Sequence, residues 1–420
     1  MAAGKRTHGV VPRTLIGTCA VLLSVGPAAV ARGDSDRDTS TVYRHIGTVT
    51  EPAIAAIAAG PTATNPTGKF ASFDISWVDN QRNVYYLADR SNNAVDMIDA
   101  IDGSFIGFLG KGDFAGVISG SPNRNGPDGV VTDRQGNVWV GDGLIGGVGH
   151  SSLKEFNPSN GSMIANIDTG GAGRSDELAY GDVHGGRILI ANPDEPTTAF
   201  VSLVDTRSDT IIGKVFYDEP AHSGLPAPGH GFNTNFGGTQ NGLEQPAFLD
   251  GRFYLNVPAT IQNPGGEIDV FDSDAARIVN ILPLQTCGGT GLAIGPRDDL
   301  LVECTDSFRV IDLSGHQEAR ANELGGADEI WFNPGDGRVY FPLPANATLR
   351  PGFIGGLGVF DAVRNQSLGL TELAGSQGEH SIAVSATSGK VFIPISDNPD
   401  NGAGGVAMMH TARQSDRSGD

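Results

Sequence analysis

The sequence predicts an all-β chain folded as a seven-bladed β-propeller of four-stranded antiparallel blades, closed by an N-terminal strand. Three observations predict it. A weak pattern of about fifty residues recurs from Phe70 to Thr411, a period that builds stacked or radial arrays. Each copy reads as short alternating strands divided by turn residues, with no sustained 3.6-residue periodicity. The 420 residues include 60 glycines and 24 prolines but only 18% charged residues, a composition of turns rather than helices.

Taken from the start, Lys5, Arg6 and Arg13 precede an apolar run from Leu15 to Val30 that ends in Ala29-Val30-Ala31. A basic head, a short apolar core and small residues before the break read as a secretory signal peptide. Residues 1–31 are therefore expected to be removed near Ala31, giving a secreted or periplasmic protein. Cys19 lacks a convincing lipoprotein context, and no later run is long enough for a spanning helix, so membrane insertion is not expected. Residues 32–68 read as a tail, a closing strand at about 41–49 and an Ala/Pro/Gly-rich linker. The propeller is assigned to 69–412, and 413–420 to a disordered tail.

The seven blades open with FDISWVD at Phe73, PDGVVTD at Pro127, SDELAYGD at Ser175, LEQPAFLDG at Leu243, TGLAIGP at Thr290, ADEIWFNPGDG at Ala327 and EHSIAVSATSG at Glu379. Second strands such as NVYYLAD, RILIAN and RVYFPLP follow, then third strands such as AVDMIDA, FVSLVDT and EIDVFDS. The chain stops soon after the seventh third strand. TVYRHIGTV, from Thr41 to Val49, resembles the fourth strands and is expected to supply the missing edge.

The formal charge of −20, more acidic still without the leader, argues against nucleic acid as a partner. Cys287 and Cys304 remain after export, fall in one expected hairpin and are expected to pair. A monomer acting on or holding a small molecule is the expectation for partners.

PDGVVTDRQGNVWVGD, from Pro127 to Asp142, resembles a blade of the regucalcin/gluconolactonase propellers, and the repeated third strands ending in Val/Ile-Asp resemble YVTN and NHL-type repeats. The resemblance implies a propeller, with metal ligands at the starts of inner strands. Asp128 matches the Asp of that motif, and Glu244, just ahead of Gln245-Pro246, is similar to the family's opening Glu. The family's Asn ligands have no counterpart in this ring.

Aligning the blades on Ile75, Val130, Leu178, Pro246, Leu292, Ile330 and Ile382 places Phe73, Asp128, Asp176, Glu244, Thr290, Asp328 and His380 two positions earlier. One position earlier lie Asp74, Gly129, Glu177, Gln245, Gly291, Glu329 and Ser381. Innermost strands line the axis and start on one face, so the register gathers carboxylates and an imidazole around one opening. Like charges crowded there call for an offset, and a divalent cation supplies one. Asp128, Asp176, Glu244, Asp328 and His380 are the expected ligands. Ca²⁺ is the first choice, with Mg²⁺, Mn²⁺ or Zn²⁺ as alternatives. Strand-start Asp residues also serve as plain turn acceptors, which is the structural alternative.

Asp128, His380 and Glu329 are the expected catalytic groups. Loops on the same face bring Arg90 and Asn92, and the long loop from Tyr217 to Asn241 brings His222 and His230, as substrate-binding candidates. Arg90 reads either as a carboxylate clamp or as a neutraliser of Asp89. His150 is expected nearby. The GxGxxG at Gly141–Gly146 has no helix to follow it and reads as a loop. Strand Trp and Tyr residues read as core.

Three functions fit: a metal-dependent hydrolase of small esters or lactones, a metal-assisted C–O lyase resembling virginiamycin B lyase, and a non-catalytic ligand- or protein-binding propeller.

Overall fold

The computed structural model describes residues 43–49, 70–196, 198–217, 242–260, 263–374, 380–396 and 404–411. The expected leader, tail and linker, the chain end, and the loop carrying His222 and His230 lie outside them.

Seven four-stranded antiparallel sheets form the ring. The first blade runs Ser76–Asp79, Val84–Asp89, Ala94–Asp99 and Phe105–Leu109 from axis to rim. Blades two to six repeat that order, with inner strands Val130–Thr132, Leu178–Gly181, Pro246–Leu249, Leu292–Ile294 and Trp331–Asn333. In the seventh sheet, Ala383–Val384, Val391–Ile395 and Gly405–Thr411 are followed outward by Tyr43–Val49, which pairs antiparallel with Gly405–Thr411.

Burial explains the strand patterns. Second strands are apolar and almost wholly buried because neighbours cover both faces, as in the RILIAN run from Arg187 to Asn192. Outer strands are largely exposed, as in Ser162–Asp168. Every outer strand shows a register shift against its neighbour, which twists the rim away from edge-to-edge pairing.

Seven apolar clusters fill the junctions between adjacent blades. Val406 and Phe392 of the seventh blade, for example, pack with Tyr85 and Leu87 of the first. Tyr43 anchors its strand through a 2.9 Å hydroxyl contact with Tyr340 of the sixth blade.

The Asp that ends so many third strands has a local cause. Asp99 accepts from the backbone N–H groups of Ile101 and Asp102 at 2.7 and 3.0 Å, and Asp361 from those of Val363 and Arg364 at 3.0 and 2.8 Å. These turns lead into the outer strands. Inner strands begin at the opposite face, called upper here. Acidic residues thus divide into turn acceptors below and a ring above.

Cys287 and Cys304 form a disulfide beside the inner edge of the fifth blade. Asp142 is followed by one 3₁₀ turn, Ile145–Gly147, rather than by an α-helix. Among the described residues no helix is long and apolar enough to cross a membrane.

Candidate functional site

At each blade's head the inner strand enters the axis in extended conformation, and consecutive residues of it contribute to the channel wall, as in Glu177–Tyr180 and Glu329–Phe332. Ile75, Val130, Leu178, Pro246, Leu292 and Ile330 all line the central channel, as their shared register requires. Gly129 has a reason to lack a side chain: a Cβ there would strike the Asp176 carbonyl and Leu178 of the next blade.

The ring divides into two unlike halves. On the side of blades one to three, carboxylates are crosslinked by two arginines. Arg90, in the turn after the second strand of blade one, donates through Nε to Asp128 Oδ1 at 2.9 Å, and its Nη2 also reaches Asp128 and Asp74. Arg174, just ahead of blade three, lies 2.8 Å from Asp176 and 2.7 Å from Asp194, with Asp74 and Asp128 at 3.5 and 3.8 Å. Arg90 therefore neither pairs with Asp89 nor stands free as a clamp. Asp89 instead accepts from the Asn92 backbone N–H at 3.1 Å and from the Asn92 amide. Arg90 and Asn92 are both buried in the packing of the mouth.

Two guanidinium groups do not offset four carboxylates, and the titration directions reflect this. Burial alone would raise Asp74, but Arg90 and Arg174 hold it below its ordinary range. Burial drives Asp128 well above that range despite the same two arginines, and pushes Asp176 up to about 7 against the pull of Arg174. Asp128 Oδ2 is buried with no hydrogen-bond partner among the described residues.

Around the rest of the ring, Glu177, Glu244, Asp328 and Glu329 come from blades three, four and six. Burial raises Glu177 well above its ordinary value, and repulsion from Glu329 and Glu244 adds to it. Glu329 is raised by burial and then by Asp74 and Asp328, although the Ser381 hydroxyl donates to it at 2.9 Å. Glu244 is raised by burial and by Asp328 and Asp176.

His380 sits where the halves meet, its Nδ1 3.4 Å from Asp328 and 3.6 Å from Asp74. Its ring leans on Phe73, 5.2 Å between centroids. Burial would lower its pKa, but the hydrogen bond it donates to Asp328 and the charge of Asp74 raise it. With its side chain 26% exposed, beside Asp328 at 44%, this is the solvent-reached part of the ring. Asp128 is wholly buried and Glu329 nearly so.

Asp74, Asp128 and Asp176 each offer a carboxylate oxygen within 4.8 Å of the others, near enough to share a cation. They are the one such trio among the described residues; Glu244, Asp328 and His380 do not converge with Asp128 and Asp176 on one point. A divalent ion at the trio would sit against Arg90 and Arg174, which already supply positive charge to the same groups. The fit to a metal is therefore poor. His150 pairs instead with Asp168 on the surface, 3.0 Å away.

Arg174 and Asp194 were not read from the sequence, and Asp74 and Glu177 were placed in the blade register but not among the expected ligands. Arg174 stands two residues before Asp176, so a basic residue beside an acidic blade opening was the available signal. Trp77 and Trp331, expected in the core, are half-buried and line the channel. No protein-family model matches this chain, and no curated protein matches it significantly; the likeness to regucalcin-type blades stands at the level of the propeller.

Proposed function

We propose that the protein is an exported, monomeric enzyme that transfers protons to and from a small ester or lactone at the upper mouth of its channel. The observation that carries this reading is the Asp328–His380 pair at the solvent-reached part of the ring. A carboxylate beside Nδ1 orients an imidazole and stabilises its charged form, which leaves Nε2 as the proton-transfer atom. In hydrolysis, neutral His380 takes a proton from water as the oxygen bonds to the substrate carbonyl. It then returns that proton to the departing alkoxide, so one water is added overall. Arg90 and Arg174 keep the mouth's inner wall in place and take no part in the proton transfer.

The excess of carboxylates supports a second reading, in which the mouth holds a cationic ligand without turning it over.

A panel of lactones and simple esters, read by product mass, tests the proposal. Hydrolysis adds the mass of one water; elimination leaves the mass unchanged with a new double bond and would replace hydrolysis by a lyase reaction at the same dyad. Turnover that survives His380→Ala would remove the Asp328–His380 pair from the chemistry, and an absence of turnover across the panel would favour the binding reading.

A further inference from the structure

Below the ring, the channel encloses about 260 Å³ and is lined by inner strands of six blades. Its walls are apolar and aromatic. Trp77 and Trp331 meet edge to face at 5.1 Å, and Tyr180 and Phe248 stand half-buried at the lower ends of their strands. At the upper end are three polar side chains. Gln245 is committed to backbone: its Oε1 accepts from Leu292 and Ile330 at 2.8 and 3.2 Å, and its amide donates to the Ile330 carbonyl at 3.2 Å. The other two are Glu177 and Glu329. Glu329 is 2% exposed, lines the channel, and has Oε1 without a hydrogen-bond partner among the described residues.

We propose that this channel takes a small organic ammonium ion from the lower face, its charged end against Glu177 and Glu329 and its apolar body among the aromatic walls. Charge complementarity selects that occupant. An anion would meet two carboxyls, and a neutral molecule would leave their repulsion in place. A bare metal ion lacks a third ligand, since the one converging trio among the described residues is Asp74, Asp128 and Asp176. Aromatic faces attract organic cations, which suits Trp77 and Trp331 to the rest of such a ligand. At roughly 30 Å³ per water-sized unit, the volume admits a ligand of about nine non-hydrogen atoms.

Phenethylammonium has that size and serves as the probe, with 2-phenylethanol as its neutral isostere and phenylacetate as its anionic counterpart. Two of the chain's 3 tryptophans line the channel, so intrinsic fluorescence reports occupancy alongside calorimetry. The ammonium is expected to bind about ten-fold or more tightly than the alcohol, the scale of a hydrogen bond to a charged group, and phenylacetate not to bind. Glu329→Gln should lose that preference while still binding the alcohol, which also shows that the variant is folded. Ala247→Trp, which fills the channel, should abolish binding of both. Equal affinity for amine and alcohol, an ammonium affinity unchanged in Glu329→Gln, or no binding by the wild type would overturn the proposal.

Discussion

Arg90 of the first blade donates through Nε to Asp128 at the head of the second, 2.9 Å away and out of solvent. The bond joins two blades at the axis, where no backbone ladder connects them. Arg174 extends the link to the third blade through Asp176 and Asp194. Removing one partner of such a buried pair leaves the other charge uncompensated.

Arg90→Ala should therefore lower stability by about 3–5 kcal/mol. Asp128→Ala in the same background should recover part of that loss, because it removes the stranded carboxyl. Denaturant melts of the two single variants and the double variant measure the coupling. Additive losses would show that the pair is not an energetic unit.

Stability should fall as pH rises across the neutral range. Glu177, Glu244, Glu329 and Asp176 have folded pKa values raised above ordinary values of 4.5 for Glu and 3.8 for Asp, and Asp176 reaches about 7. Their contribution is complete below the ordinary values and is lost as pH rises through the folded ones. Asp74, held low, acts in the opposite sense and costs stability only in acid, as pH falls through its depressed value. Melting temperature against pH should accordingly decline toward and above neutrality, with Glu329→Gln flattening the decline and raising the melting temperature at its alkaline end. A melting temperature that climbs through this window would contradict the assignment.

Chelation should leave the wild-type melting temperature unmoved, because guanidinium groups occupy the place a divalent ion would take. Arg174→Gln vacates part of it. In that variant the trio Asp74, Asp128 and Asp176 should become responsive to Ca²⁺, with stabilisation of roughly 3 kcal/mol at a hundred-fold excess over the dissociation constant. A wild-type protein destabilised by chelator would show that a metal shares the ring with the arginines.

Any turnover should follow the protonation of His380. As a base it works when neutral, and its pKa is raised above 6.5, so the rising limb of the rate profile should lie on the alkaline side of an ordinary histidine. Asp328→Asn should move that limb toward lower pH and reduce kcat more than KM. A limb that stays in place would separate Asp328 from the proton transfer.

Replacing both Cys287 and Cys304 by alanine should cost about 3 kcal/mol, the chain-entropy value for closing a loop of 17 residues. Thermal melts with and without reductant measure it, and the double variant should be insensitive to reductant.

Strand alternation, turn residues and the period of the repeat determined the blades, their order and the register that turns Ile75, Val130 and Leu178 toward the axis. These are local properties, set by side-chain alternation and by Asp acceptors such as Asp99 and Asp361 at tight turns. The acidic ring was legible for the same reason, since a shared register brings blade openings to one face. What neutralises the ring was not. Arg174 meets Asp74 a hundred residues away only after ring closure, and whether Arg90 turns to Asp89 or to Asp128 is decided by which carboxylate the next blade presents. The tryptophans follow the same division: their strand positions are written in the chain, but whether a strand face meets a packed neighbour or an open channel depends on how many blades surround the axis. Tertiary structure alone decides such questions, because charge pairing and burial in the channel depend on distances between blades that no single repeat encodes.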